Sequence, residues 1–423
     1  MSLFALADCN NFFASCERVF VPSLNNRPVV VLSNNDGCVI ARSAEAKALG
    51  IKMGQPAFEC AGVFRKHQVA VFSSNYALYG DMSARVMAVL GQLVPRLEVY
   101  SIDEAFMLLE GLPGDPMARS RHIRDEVLRR TGMPISIGIG TTKTLAKAAN
   151  RYAKTHPACD GVFSLAGHPN PDLILERIAV EDVWGIGRRY AARLKARGVM
   201  NAAGFKALSA EWVRKTMTVV GLHTLLELRG IPCIPLETGP SPKKSIVSSR
   251  SFGRPVSTKE DLEEAVAAYM SRAAEKLRAQ NSVASCVMVF IQTSRFDQGA
   301  PAYSNAYSMA LPVPTAHTPT LIKAACSALA RIYRPGHAYK KAGVMLSGIE
   351  GTSGRQLSLL ELQPFDRPKD KPLMRVLDGI NARWGNETVR LAASGVERSW
   401  KMKQARRSPR FTTVWSELAE ARA

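Results

Sequence analysis

Apolar positions change period along the chain in an order that names a fold. Residues 3–8 (LFALAD) form a short apolar strand ending on Asp8, and after a long excursion residues 76–94 carry helical spacing. Residues 98–110 read EVYSIDEAFMLLE, two apolar runs around the adjacent carboxylates Asp103 and Glu104. A helix near 119–132, a strand at ISIGIG (135–140) and a helix from about 143 to 154 complete the pattern. This β-α-β-β-α-β order is the ferredoxin-like split unit, with residues 9–75 inserted after its first strand and 98–110 as its central hairpin.

Inside the insertion, PVVVLSNNDGCVIA (28–41) predicts a hairpin about Asn35-Asp36-Gly37, followed by a short helix at 43–49 that Gly50 stops. Residues 166–236 are mostly short helical segments, and ETGPSPKKS (237–245) is a Pro/Gly/Lys-rich linker that marks a domain boundary. Beyond it the order repeats: strand 246–252, helix 259–279, strands 284–293 and 303–311, helix 319–333, strand 341–348. From about residue 351 the pattern decays into a polar, turn-rich tail with a basic cluster, Arg398, Lys401, Lys403, Arg406, Arg407 and Arg410, which binds something or stays solvated.

The chain's 423 residues suffice for about three domains at ~150 residues each. No apolar run is long enough to span a bilayer, the N-terminus lacks a basic leader, and the eight cysteines are scattered without a CxxC pair. These features predict a cytoplasmic protein with no membrane partner, no zinc site and no disulfide framework. The formal charge of +20 favours a polyanionic partner, most simply nucleic acid bound through its phosphates.

Charge also gives the opening hairpin a second meaning. At a tight hairpin tip Asp103 and Glu104 escape the alternation that would send them to opposite faces, and the neighbouring strand ends on Asp8. Three carboxylates that close repel unless a cation sits among them, and oxygen-only ligation suits Mg²⁺. Two such ions would clamp the attacking and leaving oxygens of a phosphoryl transfer. A solvated polar turn is the commoner fate of an Asp-Glu pair, so the flanking signals decide. In TTKTLAKAANRYAK, Lys143, Lys147 and Lys154 share one helical face that would suit a triphosphate, while Leu145, Ala148, Ala149 and Tyr152 face away. Gly185-Ile186-Gly187, followed by Arg188, Arg189 and Arg193, would let backbone N–H groups approach a DNA phosphate. Phe12 and Phe13 lie close enough to Asp8 to reach a nucleotide's sugar, unless they are ordinary core.

With SNNDGCVIARSAEAKALGIKMG (33–54), FSSNYALYGDMSARVM (72–87), YSIDEAF (100–106), TKTLAK (142–147), VWGIGRR (183–189) and SRSFG (249–253), the chain resembles the Y-family translesion DNA polymerases over essentially its whole length. The resemblance implies an α+β multidomain right hand: a ferredoxin-like palm (1–10 and 76–165), small fingers (11–75), a helical thumb with a helix-hairpin-helix (166–236), the linker 237–245, a second βαββαβ unit as little finger (246–350) and a tail for protein partners (351–423). It implies catalytic, metal-binding Asp8, Asp103 and Glu104 with the carbonyl of Cys9, two Mg²⁺ ions, and a steric gate against ribonucleotides at Phe13, where many relatives carry Tyr. Phe12, Lys47, Tyr79 and Lys154 would hold the nucleotide, and Gly185, Gly187, Arg188 and Arg189 the DNA. Ala44 stands where several family members place a phosphate-contacting Tyr.

Gln356, Leu357, Leu359 and Leu360 resemble a sliding-clamp motif with Leu360 in place of its final Phe. The implied partners are primer-template DNA and dNTP, a processed UmuD-type dimer, RecA filaments and the clamp. The implied activity is error-prone synthesis across damaged DNA in the SOS response, in which the primer 3′-OH attacks the α-phosphate and pyrophosphate leaves. A nucleotidyl cyclase, which also uses a ferredoxin-like palm, and a DNA-binding accessory protein with an inactive site are the alternatives.

Overall fold

The computed structural model describes residues 3–239, 241–296, 301–352, 369–398 and 400–418. Its strands are β1 (Phe4–Cys9), β2 (Val29–Leu32), β3 (Val39–Arg42), β4 (Ala70–Ser73), β5 (Arg96–Val99), β6 (Glu104–Leu108), β7 (Ile135–Gly140), β8 (Val162–Ser164), β9 (Ile246–Val256), β10 (Ser282–Thr293), β11 (Ser304–Thr315) and β12 (Tyr339–Gly351). The described residues fall into two compact units, one within Met1–Ser33, Gly37–Pro240 and Arg406–Ala423, the other within Asn34–Asp36 and Ser241–Ala405. All eight cysteines are free, and no described helix is long and apolar enough to cross a membrane.

In the first unit the main sheet runs β5-β6-β1-β7-β8. Its first four strands have the ferredoxin-like order, with β1 antiparallel to β6 on one side and β7 on the other. Helices Tyr76–Leu93 and Pro116–Thr131 cover one face, where Leu78, Met82, Val86, Ile123 and Val127 pack on Ala5, Ala7, Met107 and Ile137. Helix Lys143–Thr155 covers the other, its Ala146 lying against Phe4, Leu6 and Phe106. Two glycines explain that closeness. A Cβ on Gly138 would stand 2.0 Å from the Asn150 backbone nitrogen, and one on Gly140 2.6 Å from that of Ala146. Asn150 then locks the contact by donating to the carbonyls of Ser136 (2.8 Å) and Leu6 (3.3 Å).

The structure adds elements that the apolar pattern underread. Helix Phe12–Phe20 follows β1 directly. The hairpin of β2 and β3 gains a parallel third strand, giving the order β3-β2-β4, and β8 extends the main sheet parallel to β7. Short strands paired in parallel carry no turn signal, so sequence periodicity does not announce them. The region expected to be helical contains Pro171–Glu176, Arg188–Ala196, Ala202–Lys206 and Ala210–Leu228 around a core of Leu175, Phe205, Val213 and Leu225.

The second unit keeps the β-α-β-β-α-β order, with helices Lys259–Ala279 and Thr318–Ile332, yet its sheet runs β11-β10-β12-β9. Its second and fourth strands are therefore central, where the first unit centres its first and third. Proline explains the difference: Pro255 in β9 and Pro312 and Pro314 in β11 lack the N–H a central ladder needs, and each strand shifts register there. The expected polar tail is also corrected, because helix Asp370–Trp384 forms, with Asp378 bound to Arg278 through two contacts of 2.6 and 2.7 Å, and Trp400 is core.

Gly138→Ala should force the helix off the sheet and cost about 1–3 kcal/mol of unfolding free energy. Urea denaturation followed by circular dichroism measures the loss, and an unchanged midpoint would contradict the close-packing argument.

Candidate active site

Strand pairing fixes the site. Asp8 sits directly opposite Glu104 in the β1–β6 register, and the Cys9 N–H donates to the Asp103 carbonyl at 2.9 Å. Asp103 precedes the first residue of β6, so it is free of the strand's alternation. Ser101 builds the turn: its hydroxyl donates to Asp103 Oδ1 (2.6 Å) and accepts from the N–H groups of Asp103 (3.2 Å) and Glu104 (3.0 Å). Ser101 thus shapes the candidate site without standing out in the sequence, although a serine two residues before an aspartate is a recognisable turn signal.

Helix Lys143–Thr155 brings two ammonium groups to these acids. Lys147 Nζ lies 2.9 and 3.0 Å from the Glu104 carboxylate oxygens, and Lys154 Nζ lies 2.5 Å from Asp8 Oδ1. Burial drives the Asp8 pKa up to about 6; Glu104 and Asp103 add to the rise and Lys154 opposes it. Among the described residues no three His, Cys, Asp or Glu side chains are gathered into a metal cage. Instead the lysines stand where positive charge is needed. The carboxylate oxygens of Asp8 and Glu104, each paired with a lysine ammonium group, are hard donors of the kind a divalent cation takes.

The expected lysine stripe is only partly realised. Lys143 is buried, with Nζ 2.5 Å from Glu98 Oε2 and 2.8 Å from the Pro235 carbonyl. It opens the helix beside β5, where Glu98 points inward, so it is part of the scaffold and not of the site. Lys147 is boxed by aromatic rings, 4.6 Å from the Tyr100 centroid and 5.5 Å from that of Trp184. Ser43 caps the short helix Ala44–Ala48, from which Lys47 Nζ reaches Asn11 Oδ1 at 2.6 Å. Burial, followed by the charges of Arg42, Lys154 and Arg151, pulls the Lys47 pKa down.

Three aromatic assignments separate. Phe12 is buried in the core of the first unit. Phe13 is half-buried, its ring stacked on Tyr79 at 4.5 Å and met edge-on by Tyr76 at 6.0 Å. Tyr79 itself is fully buried with its hydroxyl on Glu17 (2.6 Å), so it supports Phe13 from beneath and presents no surface to a ligand. Adjacent aromatic residues in sequence do not announce which ring the helix turns inward.

Gly185 and Gly187 are exposed, as are Arg188 and Arg189, while Ile186 between the glycines is buried. Gly185 adopts φ +86°, and a side chain there would also meet Thr224 Oγ1 at 2.8 Å. Gly187 caps helix Arg188–Ala196, whose first N–H groups are therefore open to an anion. Trp184 Nε1 donates to Tyr100 Oη (3.1 Å), which rests this turn on the carboxylate hairpin. The clamp-like residues Gln356, Leu357, Leu359 and Leu360 lie outside the described residues.

Comparison with known proteins agrees with this geometry. Residues 7–151 match the impB/mucB/samB family, residues 243–359 that family's C-terminal domain, and residues 371–421 a domain of unknown function. The chain is 46% identical to Protein UmuC of Salmonella typhimurium across 98% of its length and 99% of the relative's, and 45% identical to that organism's Protein SamB across 99% and 100%. A solved Y-family DNA polymerase chimera of Dbh and Dpo4 superposes with a TM-score of 0.65 at 20% identity, covering 82% of this chain and 99% of that one, a likeness of fold. With Asp8, Asp103 and Glu104 at one end of a ferredoxin-like sheet and relatives of this identity along its full length, the chain belongs to the impB/mucB/samB family of UmuC-like, Y-family DNA polymerases.

Proposed function

We propose that the chain is an error-prone translesion DNA polymerase whose nucleotidyl transfer is centred on Asp8, Asp103 and Glu104. The observation that carries this reading is the Asp8–Glu104 register at the hairpin tip, with Lys147 and Lys154 held against the two acids. As a member of a DNA polymerase family the chain binds DNA and dNTP and uses a divalent cation. Residues 1–10 and 76–165 act as palm, 11–75 as fingers, 166–236 as thumb, 246–350 as little finger and 351–423 as a partner-binding tail. The nucleotidyl-cyclase and inactive-accessory readings are disfavoured because the chain's relatives are DNA polymerases.

The three carboxylates and the Cys9 carbonyl would hold Mg²⁺, in the pair expected for this chemistry. When bound, it lowers the pKa of the attacking hydroxyl and offsets charge on the phosphates. Asp8, Asp103 and Glu104 fix where the primer 3′-OH and the α-phosphate meet. Lys47 and Lys154, now bound to Asn11 and Asp8, would pass those contacts to the triphosphate. Phe13 crowds the sugar's 2′ position. Arg188, Arg189 and the open amides beyond Gly187 hold the DNA backbone without reading sequence. A UmuD-type dimer, RecA filaments and the sliding clamp are the protein partners we assign, in the cytoplasm, during SOS mutagenesis.

Asp103→Ala should reduce primer extension to background while DNA affinity stays within about twofold; normal extension by that variant would refute the assignment. Phe13→Ala should raise ribonucleotide incorporation about 10–100-fold relative to the matching deoxyribonucleotide. Single-nucleotide insertion kinetics read that ratio. Joint replacement of Arg188 and Arg189 by Ala should weaken DNA binding alike on all sequences and flatten the dependence of log affinity on log salt by about 1–2. An unchanged slope in a fluorescence-anisotropy titration would remove the pair from the phosphate contacts.

A further inference from the structure

The C-terminal strap at residues 406–418 belongs to the first unit and lies against the helix that carries Phe13. Its attachment is specific. Ser408 is buried, its hydroxyl donating to Glu17 Oε1 (3.0 Å) and accepting from Asn75 Nδ2 (3.0 Å). Asn75 also donates to the carbonyls of Ser408 (3.0 Å) and Pro409 (3.1 Å) while its Oδ1 caps helix Tyr76–Leu93. Arg406 and Ser73 exchange two hydrogen bonds, at 2.9 and 3.0 Å, and Phe411 stacks on Phe20 at 4.8 Å. The strap is closed on itself by Arg410 on Glu417 (2.6 Å).

These contacts fall on one stripe. Phe13, Glu17 and Phe20 are at i, i+4 and i+7 of helix Phe12–Phe20 and so share a face about 10 Å long. One end of the stripe is the proposed gate and the other is covered by the strap. In the middle, the fully buried Glu17 carboxyl accepts from both Tyr79 (2.6 Å) and Ser408, and its other oxygen has no hydrogen-bond partner. Tyr79 in turn stacks on Phe13 with rings 16° from parallel. Two hydroxyl donors therefore share one carboxyl oxygen, one from the strap and one from the ring that supports the gate.

We propose that the C-terminal strap is a specificity element: through Ser408, Glu17 and Tyr79 it positions Phe13 and so sets discrimination against ribonucleotides. This rests on the reading of Phe13 as the gate. Removing the Ser408 hydroxyl leaves Glu17 short of a donor in a site without water-facing alternatives, and the carboxyl turns toward Tyr79. The stacked ring moves with it, and a gate that excludes a single hydroxyl responds to a sub-ångström shift. Ser408 is thus a positioning residue, distant from the reacting atoms. It belongs to a C-terminal segment, 371–421, whose matched family description assigns it no function.

The test is single-nucleotide insertion by the full chain on undamaged primer-template, with kcat/KM measured for a ribonucleotide and for the matching deoxyribonucleotide. Ser408→Ala and Phe411→Ala should each raise the ribo-to-deoxyribo ratio about fivefold, with deoxyribonucleotide kcat/KM within about twofold of the parent. Arg407→Ala, on the exposed side of the strap, should leave the ratio unchanged. Because both substrates are measured on one preparation, a smaller folded fraction cancels. An unchanged ratio in both strap variants beside a raised one in Phe13→Ala overturns the strap's role and leaves the gate standing. An equal fall in both substrates overturns it too, since a structural part alone would do that. An unchanged ratio in Phe13→Ala overturns the gate and the strap together.

Discussion

Two like charges placed across an antiparallel pair are the constraint on which the first unit is built. Asp8 opposite Glu104 is unfavourable by itself, and burial of Asp8 makes it more so. Lys147 and Lys154 offset that repulsion only if their helix lies almost on the strands, and it can lie there only because residues 138 and 140 carry no side chain. Asn150 and the capping Thr142, which donates to the Glu227 carbonyl at 2.8 Å, then hold the helix in register. Strand pairing, glycine placement and capping are thus one arrangement seen at three levels.

The same economy recurs in the polar groups that do not face the cleft. Glu227, fully buried, accepts from the N–H groups of Thr144 (3.0 Å), Cys233 (2.7 Å) and Ile234 (3.1 Å), joining the helical region to helix Lys143–Thr155. Glu98 binds Lys143 and the Glu237 N–H (2.7 Å). Buried carboxylates without such partners would be costly, so these pairs are scaffold.

Legibility in the sequence followed the physics of each signal. Asp8, Asp103 and Glu104 stood out because charges interrupted strands whose apolar period demanded packing, and the split-unit order was legible for the same reason. Lys143 was misread, since helical spacing puts it near Lys147 and Lys154 but says nothing of Glu98 waiting on β5. The burial of Phe12 and Tyr79 was not legible, because an aromatic residue near a site and one beneath it have the same sequence signature. The order of the second sheet was not foreseen, though Pro255, Pro312 and Pro314 had already excluded β9 and β11 from its centre. The basic tail read only as binding something or staying solvated, because ion pairs such as Arg398 with Glu387 (2.6 Å) join residues eleven apart, outside any periodic pattern.

The most direct measurement is an experimental structure of the full chain with primer-template, Mg²⁺ and an incoming nucleotide bearing a non-hydrolysable α,β-bridge. Cation density shared by Asp8, Asp103 and Glu104, with Lys154 moved from Asp8 to the triphosphate, is the expected result. A nucleotide bound with Lys154 still on Asp8, Lys147 still on Glu104 and no cation among the three acids would contradict the assignment of this hairpin as the catalytic centre.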